Sequence, residues 1–473
     1  MKIIYKNNMG VTEMEVSNLY KDISTVLSQE DVSDGARQIE VEVPGVGTVI
    51  YRVTLRSGTP FIVELSNTLP NDFLDDNLKP CYLTCVIPEK NSYKFYKLTP
   101  TDSDVVAEYG RMGTRRGEVF GIRSFRYPKE MFWIKYAEKI SKGYVDRSDV
   151  YLADNEKAEQ NLEKKTGHIN KVSAELFQKL KKFSKKAVKD AYVNVPITKA
   201  ILDVSNKILK QMYTAQSLEE FNNYVLEIVS LLQRPVQTGD GTGVMRLLAK
   251  SAAEYNQIIQ RESDLIQAME GMYYGSSSVS SDKDFSEYGV EVYLATDRQK
   301  KQVMNQLSDS LKGKVKNIYR VIPKEQQKRF DDYLKEHNIK KVKQLWHGSR
   351  NQNWMSIILN SLQLNPDAII TGKMFGSGIY FAPSSMKSWN YTSYHGTSWA
   401  RGNSDTAFMG LYAVAYGKPL DTDTWSGTTD YRALTVNGGY DCLHAHKGSA
   451  LLNDEIIFYN ESSMVLNYIV EFQ

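Results

Sequence analysis

The spacing of apolar residues changes character twice along this 473-residue chain, and that change restricts what it can fold into. In the middle, apolar positions fall three and four apart. Ile197, Ile201, Val204, Ile208 and Met212 form one stripe, and Leu218, Phe221, Val225, Ile228 and Leu232 form a second. Leu248, Ala252, Tyr255 and Ile259 open a third. Such spacing places each set on one face of a helix, so these stripes are packing faces. Ser217-Leu-Glu-Glu220 reads as a capping box, in which serine and glutamate satisfy orphan N–H groups reciprocally. Gly271 is the expected cap closing the third helix.

On both sides of this block the chain reads as strands. Ile39–Leu55 alternates apolar and polar residues around Pro44-Gly45-Val46-Gly47, which predicts a hairpin. Cys81–Ile87, Tyr93–Leu98 and Val105–Tyr109 continue the strand pattern, and a helix is expected from Pro128 to Lys142, ending at Gly143. Tyr274–Ser281 is Ser/Gly-rich and has the composition of a flexible linker. Beyond it lie short strands, glycine turns and one or two helices. The expected fold is multidomain α+β. Its parts are a β-rich region 1–74, a domain 75–150, a polar linker 151–171, an all-α subdomain 172–272, a linker 273–284 and a mixed α+β domain 285–473.

With 41% hydrophobic and 24% charged residues, disorder is excluded as the main state. The net charge of +3 says nothing of partners, so any basic surface must be local. One such surface is Tyr109–Lys129, where Arg111, Arg115, Arg116, Arg123, Arg126 and Lys129 face one acid, Glu118. The Lys-rich run 179–186 reads as a solvated helix face or linker, ahead of a nuclear address or an accessory DNA contact. Cys81, Cys85 and Cys442 are too few for a disulfide scaffold and point to a reducing compartment. Cys81 and Cys85 lack a second Cys/His pair and are read as buried thiols, so no metal is expected. There is no signal peptide and no apolar stretch long enough to span a bilayer, so no membrane association is expected. The expected location is intracellular, nuclear in a eukaryote and otherwise cytoplasmic.

The C-terminal domain carries the chemistry. His347 lies in Leu345-Trp-His-Gly-Ser-Arg350. Tyr380 lies in Met374-Phe-Gly-Ser-Gly-Ile-Tyr-Phe-Ala382, followed by Ser388-Trp-Asn-Tyr391. Glu455 lies in Leu451-Leu-Asn-Asp-Glu-Ile-Ile-Phe-Tyr459. Each residue alone has a bland reading: a satisfied core histidine, a strand aromatic, an edge charge. Three segments in this order resemble the catalytic domain of the poly(ADP-ribose) polymerases, the diphtheria-toxin-like ADP-ribosyltransferases, over about residues 285–473.

The resemblance implies that NAD⁺ is consumed as substrate, with no metal. A carboxylate beside the nicotinamide ribose stabilises the oxocarbenium charge that develops as the glycosidic bond breaks, and it accepts a proton from the attacking hydroxyl. Glu455 takes that part. His347 holds the adenine-side ribose, and Tyr380 packs near the nicotinamide ribose. Gly348 lets its backbone approach the carboxamide. Ser388 adds a hydroxyl to that carboxamide, Tyr391 stacks on the nicotinamide, and Ser349 and Phe381 line the cleft. Where family members often carry an arginine toward the adenosine, the nearest residue here is Gln363, a departure that bears on the adenine subsite.

Upstream, Val105–Thr114 is similar to the core of a WGR domain, with Tyr109 in the tryptophan's place, over about residues 75–150. The resemblance implies binding to DNA near strand-break ends through Tyr109, Arg111, Arg115, Arg116 and Arg123. It also implies that segment 172–272 is the regulatory helical subdomain of the DNA-responsive members. The expected function is DNA-dependent transfer of ADP-ribose from NAD⁺ to protein acceptors, self-modification included, extended to poly(ADP-ribose). The competing readings are a mono-ADP-ribosyltransferase and a DNA-end binding protein with an inactive transferase domain. Glu455 argues against both, since family members limited to one transfer often replace it.

Overall fold

The computed structural model describes residues 1–33, 35–56, 59–70, 78–90, 92–112, 121–152, 170–191, 197–234, 243–276, 284–364, 374–449 and 451–473. Two compact units emerge. The first comprises Met1–Asp154, Val193–Pro196 and Val229–Leu247; the second comprises Asn155–Tyr192, Ile197–Ile228 and Leu248–Gln473. Among the described residues no helix is long and apolar enough to cross a membrane.

The first unit holds two antiparallel five-stranded sheets. In one, the strands run in the order Gly10–Glu15, Lys2–Asn7, Arg37–Val43, Gly47–Arg56 and Thr59–Asn67. The two strands flanking Pro44–Gly47 pair directly, Val43 opposite Gly47, as the alternation around that turn requires. Ile39, Val41, Val43, Val49, Tyr51 and Val53 all point inward, against the helix Leu19–Gln29. In the other sheet the order is Val145–Asp146, Cys81–Ile87, Ser92–Pro100, Asp104–Arg111 and Arg123–Pro128. The helix beside it spans Met131–Ile140, beginning three residues later than the sequence predicts, because Tyr127 and Pro128 still pair in the edge strand. It gives Ile134 to the first sheet's core and Phe132 to the second's. Val229–Leu247 also belongs to this unit. Tyr93 Oη accepts from the Arg234 N–H at 2.6 Å, and Tyr151 Oη donates to Leu231 O at 2.5 Å.

In the second unit a five-stranded sheet runs Val290–Leu294, Val315–Pro323, Met464–Phe472, Ala407–Ala415 and Val342–Gly348. A four-stranded sheet runs Ile379–Phe381, Glu455–Phe458, Cys442–Ala445 and Pro419–Thr422. The helix Lys171–Ala191 packs onto them, with Leu176, Phe177 and Leu180 in the same core as Phe285, Leu345, Phe381 and Phe458, and the helix Tyr255–Ser276 packs against Lys171–Ala191 and Trp354–Asn360. Lys179 on the inner side pairs with buried Glu471 at 2.5 Å, whereas Lys182, Lys185 and Lys186 are exposed, the solvated face of the Lys-rich run.

Four local expectations are corrected. Gly271 caps nothing: it lies inside the helix Tyr255–Ser276, where a Cβ would meet Ser184 Oγ at 2.5 Å and Met355 Cβ at 3.0 Å. Close packing between elements, not a left-handed turn, requires glycine there. Tyr274–Ser276, expected as linker, is the end of that same helix, while 277–283 lie outside the described residues. Leu248 and Ala252 precede the helix, which starts at Tyr255. At Ser217 half of the capping box forms: the Glu220 N–H donates to Ser217 Oγ at 3.1 Å, but the Glu220 carboxylate accepts from the Gln216 N–H at 2.8 Å, one residue before the cap.

Candidate active site

The site is assembled where the two sheets of the second unit meet. The His347 strand, Val342–Gly348, touches the residue following the short strand Ile379–Phe381 through a pair of backbone hydrogen bonds. Trp346 N–H donates to Ala382 O at 2.9 Å, and Ala382 N–H returns the bond to Trp346 O at 3.0 Å. The same carbonyl accepts from Ser388 Oγ at 3.0 Å. His347 Nδ1 lies 3.1 Å from Tyr380 O, so the backbone of the Tyr380 strand sets the imidazole's orientation. Tyr380 pairs with Ile457, and Glu455 lies two residues before Ile457 on the same strand, hence on the same face. Sheet pairing thus gathers His347, Tyr380 and Glu455 from segments that are 33 and 75 residues apart in sequence.

Burial raises the phenol pKa of both Tyr380 and Tyr391, and the Glu455 charge adds to it in each case; for Tyr380 neighbouring Tyr459 adds more than Glu455 does. Both phenols are therefore neutral and able to donate at physiological pH. The Tyr380 hydroxyl donates to Gly376 O at 2.8 Å and accepts from the Phe375 N–H at 3.1 Å, which pins the ring. Tyr391 is 43% exposed, with Trp399 roughly parallel to it and ring centroids 6.4 Å apart.

Glycine at 348 has a second reason. A Cβ there would lie 1.9 Å from Ser388 O, so the close approach is already made by protein backbone. Phe381, expected on the cleft wall, is only 2% exposed. It packs edge-on against Tyr412 and Phe458 and at 5.6 Å from the His347 ring, so it supports the histidine from the core. Gln363, in the place of the expected arginine, is exposed. Ser349 Oγ accepts from Asn353 Nδ2 at 3.1 Å. Asn353 Nδ2 also donates to Asp264 Oδ1 at 2.8 Å, and Asp264 Oδ2 lies 2.9 Å from Arg350 Nε. The helix Tyr255–Ser276 is thereby tied to the loop following His347.

One residue that the sequence did not single out stands in the centre. Lys387 Nζ lies 2.5 Å from Glu455 Oε1, with side chains 15% and 14% exposed, and it also donates to Asn453 O at 3.2 Å. The only signal available was its place in Ser385–Trp389, a one-turn helix next to Ser388.

Of the nucleic-acid candidates, Tyr109 and Arg111 end the strand Asp104–Arg111, and Tyr109 pairs with exposed Arg123 on the edge strand. Tyr109 stacks on Tyr96 with ring centroids 5.7 Å apart. Beside Arg123, Ile122 and Phe125 are each 54% exposed. Arg115 and Arg116 lie outside the described residues. Cys81, Cys85 and Cys442 are free and buried. Burial pushes the Cys81 and Cys442 thiols up to about 12 and raises Cys85 as well, which disfavours thiolate ligation.

Residues 295–473 match the family model described as the poly(ADP-ribose) polymerase catalytic domain. The chain is similar to a putative poly(ADP-ribose) polymerase-like protein, 100L, of invertebrate iridescent virus 6, 29% identical over 35% of this chain and 92% of the viral protein. It is 24% identical to the Drosophila melanogaster poly(ADP-ribose) polymerase over 65% of this chain, and 31% identical to human poly(ADP-ribose) polymerase 2 over 27%. Those two alignments span 35% and 26% of the fly and human proteins.

Proposed function

Residues 295–473 are a catalytic domain of the poly(ADP-ribose) polymerase family, an ADP-ribosyltransferase domain, and from that premise we propose that this chain transfers ADP-ribose from NAD⁺ to protein acceptors under the control of DNA. The observation that carries the reading is the Lys387–Glu455 ion pair, held at the strand start that faces Tyr380 and Tyr391. A shielded carboxylate at that point is placed to stabilise positive charge on a ribose and to take the proton of an incoming hydroxyl. Lys387 keeps the carboxylate positioned in the absence of substrate. When the oxocarbenium develops, a second positive charge competes for Glu455, so the carboxylate is already desolvated where the charge appears.

His347 anchors the second ribose. The Gly348 backbone, Ser388 and Tyr391 form the nicotinamide end, with Ser349 on the cleft wall. Extension to poly(ADP-ribose) follows if a ribose hydroxyl of a bound ADP-ribose takes the acceptor's place at Glu455. DNA, at strand-break ends, is held by Tyr109, Arg111 and Arg123, together with Arg115 and Arg116. The basic edge strand with exposed Ile122 and Phe125 supports this, since cations and flat apolar groups together suit phosphate and base contact. The helices of 172–272 restrain the site through Asp264, Asn353 and Arg350, and DNA favours a state in which that restraint is loosened. The deciding experiment is NAD⁺ turnover with and without nicked or blunt DNA, with products resolved by length. DNA-stimulated polymer is the expected result. Turnover indifferent to DNA would remove the DNA-dependence, and absence of turnover under both conditions would leave a binding protein.

A further inference from the structure

Alongside the Glu455 strand, the strands Pro419–Thr422 and Cys442–Ala445 pair in parallel, with Asp421 opposite His444. The ladder continues beyond the second strand, where the His446 N–H donates to Thr422 O at 2.7 Å. His444 and His446, two residues apart on extended backbone, present their rings on the same face. The ring centroids are 3.9 Å apart. Two carboxylates flank the stacked pair. On one edge Asp421 Oδ1 lies 2.7 Å from His446 Nε2 and 3.7 Å from His444 Nδ1. On the other edge Asp454 Oδ2 lies 3.1 Å from His444 Nε2 and 3.7 Å from His446 Nδ1. One donor atom from each of Asp421, His444 and His446 lies within 4.8 Å of the others.

We infer that Asp421, His444 and His446 form a binding site for a divalent transition-metal ion of the zinc type, with Asp454 holding the His444 imidazole from behind. Zinc ligated by nitrogen and oxygen at about 2.0–2.2 Å requires donor atoms about 3.3 Å apart in a tetrahedral arrangement. The Asp421–histidine separations of 2.7 and 3.7 Å bracket that value. Asp454 does what a supporting carboxylate does in such centres: at 3.1 Å it accepts from His444 Nε2, the nitrogen that does not face the ion, which fixes that ring's tautomer and orientation. The Asp454 carboxylate is itself held by the Lys447 N–H at 2.8 Å. Two carboxylates give the cluster negative charge. Lys343, on the strand Val342–Gly348 of the five-stranded sheet, lies 3.4 Å from the Tyr416 ring centroid and is close enough to act electrostatically on Asp421, Asp454 and His444. Tyr416 Oη is 2.6 Å from His444 Nδ1, and it is the one contact that an ion at that nitrogen displaces or takes in as a fourth donor. Asp421 and His446 are 57% and 40% exposed, which leaves room for water to complete the coordination.

Asp454 immediately precedes Glu455, and Ala445 pairs with Glu455, so an ion here would stiffen the strand start that carries the proposed catalytic carboxylate. The proposal does not depend on the transferase reading, because its test measures binding and not turnover. Tag-free full-length chain, stripped with chelator, is titrated with Zn²⁺ by calorimetry and with Co²⁺ by visible absorption. One ion per chain is expected, with the intense bands of a low-symmetry Co²⁺ site. Asp421→Ala and His446→Ala should each weaken binding at least tenfold, and Asp454→Asn should weaken it about 10–100-fold, as loss of a supporting carboxylate does elsewhere. His337→Ala, at a histidine that contacts Tyr333 and not this cluster, should bind as the parent does. Asp421 is an exposed side chain, so its replacement does not disturb the core, and circular dichroism melting checks each variant's fold. Failure of the parent chain to bind Zn²⁺ at micromolar concentration would overturn the proposal, as would binding that survives both Asp421→Ala and His446→Ala.

Discussion

Lys387 and Glu455 are 68 positions apart in sequence, yet Lys387 Nζ and Glu455 Oε1 meet at 2.5 Å with both side chains mostly shielded from solvent. Glu455→Gln removes the charge that would stabilise an oxocarbenium ion and polarise the acceptor. NAD⁺ binding should persist, while chain elongation falls by about 10²-fold or more. Lys387→Met should lower kcat more than it changes KM, because the lysine acts through Glu455. Quantifying product length and initial rate checks both; long polymer made at the parental rate by Glu455→Gln would remove Glu455 from the mechanism.

Tyr391→Ala and Ser388→Ala should weaken NAD⁺ and nicotinamide-like inhibitors together, the stacked ring contributing about 1 kcal/mol or more. Stability separates the two variants. Ser388 Oγ donates to Trp346 O, so Ser388→Ala should also lower stability by about 1 kcal/mol. Tyr391 is exposed, and its removal should leave the melting temperature near the parental value. Inhibitor titration and thermal melting on the same samples test this; unchanged inhibitor binding in both variants would move the nicotinamide pocket elsewhere.

Arg111→Ala and Arg123→Ala should reduce DNA affinity and DNA-stimulated activity while sparing basal activity. Each should lower the slope of log affinity against log salt by about one phosphate contact. A salt series by fluorescence anisotropy measures it. Equal slopes for parent and both variants would leave the edge strand without a role in DNA binding.

Asp264→Asn should raise activity in the absence of DNA. Burial raises the Asp264 pKa while Arg350 pulls it back, so the carboxylate depends on its partners, and the amide releases the charge that ties Arg350 to the helix Tyr255–Ser276. This substitution is gentler than removing Val172–Gly271, which would strip Leu176, Phe177 and Leu180 from a shared core. A folded Asp264→Asn protein as silent without DNA as the parent would count against restraint through this contact.

Acid sensitivity should centre on Glu471. Burial alone would raise its pKa, but hydrogen bonds from Asn317, Lys179 and Tyr319 outweigh it and hold the carboxyl below its ordinary value of 4.5. The folded state therefore releases a proton that the unfolded chain keeps. The stabilisation is fully present above pH 4.5 and is lost as pH falls through the folded-state pKa. Urea unfolding from pH 6 to 3 should show a shallower acid loss for Glu471→Gln; identical slopes would place the acid limb elsewhere.

Much of the site was legible because the chemistry sits on short contiguous motifs. His347-Gly-Ser349, Gly376–Ala382 and Asp454–Tyr459 each carry their own strand or turn pattern, and local periodicity assigns strands without knowledge of partners. Phe381, expected on the cleft wall, falls in the core for a related reason. Strand alternation says that neighbours point to opposite faces, but not which face is core and which is cleft.

The residue order alone determined the helical block, the strand-rich flanks, the three motif segments and the local basic surface, since period and charge are properties of adjacent residues. Only the tertiary structure decided that Lys387 reaches Glu455, that Gly271 is demanded by Ser184 and Met355, that Asp264 reaches Arg350, and that Asp421 and Asp454 flank His444 and His446. These relationships arise from strand pairing and helix packing across long separations, where a contact depends on register and close approach that no local pattern encodes.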